Sequence, residues 1–223
     1  EIRNWHLKQT LPWSDNGIRL LPMNNFFKYK EQLSEYEDKF NTAVKQFIGD
    51  YPQLISLMAY SLGDLFNIED YPPVEQIESK FKLSYTIIPV PEAGDFRLDI
   101  GNDIREELET QYEEAYQQKV ETAMSSAWSR LHTTIEHIVV KLNDPRWGEE
   151  ESNNPQVYDS FVGNALDLTN LLTSLNITQD PDLEQARVTL EQAVSGVTPT
   201  MIRQQPHVRE KLMSEVKALQ ELI

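Results

Sequence analysis

Between Asp103 and Asp144, apolar or small residues return every three or four positions. They fall at Ile104, Leu108, Tyr112, Ala115, Tyr116, Val120, Ala123, Ala127, Leu131, Ile135, Ile138 and Leu142. That spacing collects them on one face of an α-helix. No Pro interrupts the run, and no Gly occurs between Gly101 and Gly148. Forty-odd residues at about 1.5 Å each reach on the order of 60 Å. A compact domain of this size does not need so long a helix, so the run reads as a spine along which other helices pack.

The rest of the chain supplies candidates for those helices. Residues 1–23 are punctuated by Pro12, Gly17 and Pro22, with Ser14-Asp15-Asn16-Gly17 as a turn. They read as an irregular segment pinned to the helices by Trp5, Leu7, Leu11 and Trp13, with Ile18–Leu21 as a short strand. Asn24 or Asn25 can cap a helix with a stripe at Leu33, Tyr36, Phe40, Val44 and Phe47. Pro52 is expected to break it near Asp50. The following run, Gln53–Phe66, is more apolar and is expected to be more buried. At Lys82–Val90 and Asp95–Ile100 the period changes to two, with β-branched residues in the first run. Pro91-Glu92-Ala93-Gly94 lies between them, which predicts a β-hairpin over 82–100. After the spine comes a polar loop, Asn143–Gln156. Three shorter helices follow, from about Val157 to Leu175, Asp182 to Val194 and Val208 to Leu222. The fold class is therefore mainly α: an elongated helical bundle around a long central helix, with one small β-hairpin. All 223 residues are read as a single helical domain, with 1–23 packed on it and 82–100 inserted.

Charge narrows the partners. The chain carries 36 Asp and Glu against 20 Lys and Arg, a formal net charge of −16. Nucleic-acid and anionic-membrane binding both need clustered cations, so neither is expected. No apolar run approaches the length of a membrane span and no signal-peptide pattern opens the chain. Opening on Glu1 and not on Met, the sequence is expected to be a piece of a longer protein. The absence of Cys removes disulfides, thiolate zinc sites and cysteine nucleophiles, and is compatible with a reducing cytoplasm. The acidity also concentrates. Asp103–Met124 holds seven acids against Arg105 and Lys119, whereas Ser125–Asp144 holds two of each sign.

Catalytic templates fail one by one. His132 and His137 are five residues apart, roughly 140° out of alignment on a helix, where zinc peptidases need i and i+4. No Gly-x-Ser-x-Gly elbow and no phosphate-cradling Gly motif occurs. Glu106, Glu109 and Glu113 share one helical face at i, i+3 and i+7, but no Glu-x-x-His partner accompanies them as a di-iron bundle requires. They read as a solvated face or a docking surface for a basic partner. Trp147, beside Arg146 and Gly148 in the polar loop, reads as an exposed binding anchor or as local packing of the loop. No cofactor and no metal is expected, and the chain is not expected to be an enzyme.

Two runs carry a family resemblance. One is Thr10-Leu-Pro-Trp-Ser-Asp-Asn-Gly-Ile-Arg-Leu-Leu-Pro22, followed by Asn25-Phe-Phe-Lys-Tyr29. The other is Leu175-Asn-Ile-Thr-Gln-Asp-Pro-Asp182, followed by Ser195-Gly-Val-Thr-Pro-Thr-Met-Ile-Arg203. Together they resemble a bacterial and phage family of unknown function whose genes neighbour those of a MoxR-type AAA+ ATPase and a von Willebrand factor A-domain protein. The resemblance spans almost the whole chain and brings no catalytic residues with it. It implies a phage-encoded accessory component of an ATPase-driven system in the bacterial cytoplasm. Residues and resemblance together point to a protein-interaction, scaffold or adaptor component, with another protein of basic surface as partner, an AAA+ ATPase among the candidates, and with self-association allowed. The alternative is an acidic mimic of nucleic acid that occupies a host or defence protein.

Overall fold

A computed structural model describes residues 1–91, 102–144 and 155–222. Its helices are α1 (Ile2–Gln9), α2 (Phe26–Leu62), α3 (Val74–Glu78), α4 (Asn102–Leu142), α5 (Pro155–Leu175), α6 (Pro181–Val194), α7 (Pro199–Gln204) and α8 (Pro206–Leu222). Two short strands, β1 (Leu11–Pro12) and β2 (Arg19–Leu20), pair antiparallel with Leu11 opposite Leu20 and Pro12 opposite Arg19. The fold is mainly α, with a long central helix and one small hairpin. The contacts divide it into two compact units, one of residues 3–26 and 93–223, the other of residues 27–92.

In the larger unit the core gathers on the second half of α4. Ala123, Ala127, Leu131, Ile135, Ile138 and Leu142 are buried in one cluster with Phe161, Val162, Ala165 and Leu172 of α5, Leu183, Leu190 and Val194 of α6, and Leu212, Val216 and Leu219 of α8; α4 meets α5 and α8, and α6 packs on those two. The two small positions in that stripe, Ala123 and Ala127, leave room for neighbouring helices to approach closely. Leu11 of β1 and Ile202 of α7 close the cluster. The first half of α4 is different. From Ile104 to Lys119 no residue is buried, although the apolar stripe runs through it. It stays helical because it continues a packed helix, since propagation costs far less than nucleation. Its composition is also rich in good helix formers, and acids near its N-terminus suit the helix dipole.

The corner between α5 and α6 is built from the run Leu175–Asp182. Asn176 brackets it, donating from Nδ2 to the Asp180 carbonyl (2.9 Å) and accepting from the Asp180 N–H at Oδ1 (2.8 Å). Gln179 takes φ 55° inside that bracket. The Asp180 carboxylate caps α6 through the N–H groups of Asp182 (2.9 Å) and Leu183 (3.3 Å). Trp128 of α4 donates its indole N–H to the other carboxylate oxygen at 3.0 Å. One side chain thus starts a helix and ties the corner to the spine.

The smaller unit has little interior. Among its described residues only Tyr29, Leu33 and Tyr51 are buried. Aromatic contacts hold it together: Phe47 lies against Tyr51 (centroids 5.8 Å) and edge-on to Phe81 (5.4 Å), and Phe66 stacks on Tyr71 (5.3 Å). The Tyr51 hydroxyl donates to the Pro72 carbonyl at 3.0 Å.

Four expectations are corrected. The opening segment is not irregular throughout, because Ile2–Gln9 is helical; every turn residue of residues 1–23 lies after Thr10, and none breaks the first turns. Pro52 does not end a helix, because α2 runs through it. The carbonyl that loses a donor there lies next to exposed Gly49 and Asp50, where water can satisfy it. The apolar run after Pro52 is mostly exposed, not buried: the unit offers nothing to cover Leu54, Leu57, Met58 and Tyr60. The hairpin expected at 82–100 is not formed over 82–91, which is irregular. Pro89 and Pro91 remove ladder donors there, and residues 92–100 lie outside the described residues. The hairpin sits instead at Leu11–Leu20, where Gly17 takes φ 83° in the turn.

Leu131→Ala, at a position with no exposure, is expected to cost about 2–5 kcal/mol. Ile104→Ala in the exposed half of α4 is expected to stay within about 0.5 kcal/mol of the parent; urea unfolding followed by circular dichroism compares them. Burial raises the Asp180 carboxyl pKa, but the bonds from Trp128, Leu183 and Asp182 outweigh it and hold the group below its ordinary value of 3.8. The cap therefore contributes stability that is fully present above that value and is lost as pH falls through the folded value. Asp180→Ala is expected to cost about 1–2 kcal/mol at neutral pH. The gap to the parent should close below about pH 4, as read from urea midpoints at stepped pH.

Candidate functional site

Two places on the larger unit concentrate charge. The first is the exposed half of α4. Glu106 and Glu113 are exposed and Glu109 is half-buried on the same face, as the i, i+3, i+7 spacing requires. Their neighbours are tied to the helix itself: Thr110 Oγ1 donates to the Glu106 carbonyl (2.9 Å), and Gln111 Nε2 donates to the Glu107 carboxylate (3.1 Å). Aromatic rings sit beside these acids. Tyr112 stacks on Tyr116 (centroids 6.4 Å), and Trp13 of the hairpin meets Tyr116 edge-on at 5.5 Å, with the Lys119 ammonium 5.9 Å from the Trp13 ring. The surface is therefore acidic with an aromatic margin. A carboxylate array of this kind attracts cations and basic side chains over a Debye length of about 8–10 Å.

Trp147, the other residue singled out from the sequence, lies outside the described residues. His132 Nδ1 is 3.5 Å from Glu136 on an exposed face of α4. Among the described residues no group of three or more His, Asp or Glu is arranged to hold a metal ion. None of the described helices is long and apolar enough to cross a membrane.

The second place is a pair of guanidinium groups that sequence reading passed over. Arg130, on the packed half of α4, donates to the carbonyls of Lys8 (2.7 Å), Leu7 (3.0 Å) and Thr10 (2.7 Å). Arg19 of β2 donates to the Thr10 hydroxyl (2.7 Å) and to the Thr10 and Leu7 carbonyls (2.8 and 3.3 Å). The Thr10 hydroxyl in turn donates to the His6 carbonyl at 2.7 Å. The last carbonyls of α1, which a helix leaves without internal donors, are thus met by two cations at the negative end of its dipole. Burial, with Arg19 alongside, pulls the Arg130 pKa down. Burial and Arg19 likewise hold His6 below its ordinary value. The Arg130 and Arg19 bonds hold α1 and the hairpin to α4, so the arrangement is structural. The signal for it was present: Arg130 is one of two cations in Ser125–Asp144, placed among core-forming positions.

No family model, curated protein or solved structure matches the chain.

Arg130→Lys is expected to loosen α1 without unfolding the unit. A lysine cannot reach three carbonyls in a planar fork, and each bond to a charged group contributes about 1.5–3 kcal/mol. Hydrogen exchange should quicken over residues 2–10 and stay unchanged over α5 and α6.

Proposed function

We propose that the chain is a non-enzymatic interaction component, a scaffold or adaptor, that presents the first half of α4 to a protein of basic surface. One observation carries the reading. From Ile104 to Lys119 no residue of α4 is buried, while its acids outnumber its cations. Such a segment adds no core, so its helical order and its charge are available to a partner. The aromatic margin at Tyr112, Tyr116 and Trp13 suits docking, because interface energy concentrates in aromatic anchors ringed by polar groups. The resemblance of the Thr10–Pro22 and Leu175–Asp182 runs to a phage and bacterial family adds a candidate, an AAA+ ATPase of the MoxR type in the bacterial cytoplasm. A second reading rests on the same surface. Exposed carboxylates in a row on a helix can imitate a phosphate backbone and occupy a nucleic-acid-binding protein.

The experiment is affinity purification of the full chain from its native cells, beside Glu106→Gln/Glu109→Gln/Glu113→Gln. The parent should recover a basic protein, and the variant at least tenfold less of it, with unfolding midpoints matching within about 0.5 kcal/mol. Raising salt should weaken the complex, since exposed charges are screened. An AAA+ ATPase in the eluate supports the adaptor reading, and displacement of the partner by duplex DNA supports the mimic. Recovery of no protein, or equal recovery by parent and variant, overturns both.

A further inference from the structure

The turn Ser14-Asp15-Asn16-Gly17 joins β1 to β2 and takes no part in the acidic surface of α4 or in the Arg19 and Arg130 bonds. Asp15, Asn16 and Gly17 are all exposed, as the tip of a surface loop usually is. Among the described residues the Asn16 carboxamide has no hydrogen-bond partner; only its backbone N–H is engaged, donating to Ser14 Oγ at 3.2 Å. Gly17 takes φ 83°, and a Cβ added there would meet nothing within 4 Å. The Gly17 N–H donates to the Ser14 carbonyl at 3.2 Å, the long end of the range for such bonds, at a place where water can replace it. Asn16 is also the one Asn of the chain that a Gly follows.

We propose that Asn16 is a site of spontaneous covalent modification, converting to aspartate and isoaspartate in the folded chain. The Gly17 backbone nitrogen attacks the side-chain carbonyl carbon of Asn16. A new C–N bond closes a cyclic imide as the bond to the side-chain nitrogen breaks, and that nitrogen leaves as ammonia, taking the Gly17 N–H proton. Water then opens the imide at either carbonyl. One opening yields aspartate; the other yields isoaspartate, whose extra methylene lies in the main chain. Glycine matters because it brings no Cβ to crowd the approach, and the free carboxamide matters because a bonded one is held in place. Asn67 shows the contrast: it is exposed too, but its Oδ1 accepts from the Glu69 N–H at 3.1 Å and the branched Ile68 follows it. The product alters the hairpin. An imide has no N–H to offer Ser14, and isoaspartate lengthens the loop that the Trp13 and Ser14 N–H groups close onto the Ile18 carbonyl at 3.2 and 3.3 Å. Trp13 meets Tyr116 edge-on, so the change reaches α4. Buried Leu11 and the Arg130 bond to Thr10 hold the base of the hairpin in place.

The test ages the full chain at neutral and at mildly alkaline pH, beside the same chain unfolded in urea. Mass spectrometry follows the tryptic peptide Gln9–Arg19, and enzymatic methylation of isoaspartate reads the main-chain product. Asn16 should convert at least tenfold faster than Asn67 and within tenfold of its own rate in urea. Conversion should quicken at the higher pH, because the attacking nitrogen must lose its proton. Asn16→Gln, whose longer side chain closes a ring less readily, should keep its amide, with circular dichroism matching the parent. Hydrogen exchange over residues 11–20 should quicken in the aged parent and not in aged Asn16→Gln, while α5 and α6 stay unchanged in both. An Asn16 that does not convert, or that converts no faster than Asn67, overturns the proposal. So does a folded rate more than tenfold below the rate in urea, or unchanged exchange over residues 11–20 once Asn16 has converted. None of these outcomes depends on a partner at α4.

Discussion

The larger unit depends on one buried stripe, the second half of α4. From Ala123 to Leu142 that helix offers small or branched apolar side chains to α5 and α8, and α6 packs in turn on those two. Removing it would strip α5 and α8 of the face they share. The polar ties are arranged around the same half. Trp128 fixes the corner that starts α6, and Arg130 fixes the end of α1. Both reach outward from positions between core residues, so packing and hydrogen bonding order each other.

That concentration has a consequence for function. Because the core gathers on the second half of α4, the first half contributes no buried residue from Ile104 to Lys119. The smaller unit shows the same economy in apolar form. Its few buried residues and its aromatic contacts are enough to hold α2, and they leave its apolar end uncovered. One helix thus carries surplus charge and the other surplus apolar surface.

The polar inventory supports the same division of labour. Among the described residues no buried side-chain nitrogen or oxygen lacks a hydrogen-bond partner. Arg187 is held by Glu184 and Glu191 along α6 at 2.7–2.9 Å, which raises its pKa through the bond to Glu184 despite burial. Buried Asn25 reaches Gln9 at 2.8 Å. These groups close on each other, so the functional proposal rests on the exposed surface of α4.

The sequence by itself determined where α4, α5, α6 and α8 lie, but it missed α1 and α7 and ended α2 at Pro52. Period, caps and the absence of Pro and Gly placed α4 within a residue or two of its ends, and Asp180-Pro181 marked the start of α6, because these signals act over one or two turns of chain. Charge polarity along α4 was equally plain, being a count. Tertiary structure alone decided which faces are covered. The stripe of α4 reads alike at Leu108 and Leu131, yet only Leu131 finds α5 and α8 beside it. Leu57 reads as core and is exposed for the same reason: burial is a property of what arrives from elsewhere in the chain. Pro52 and the 82–91 run show the local counterpart. Whether a missing donor ends an element depends on whether water or a neighbouring strand is there to meet what is left.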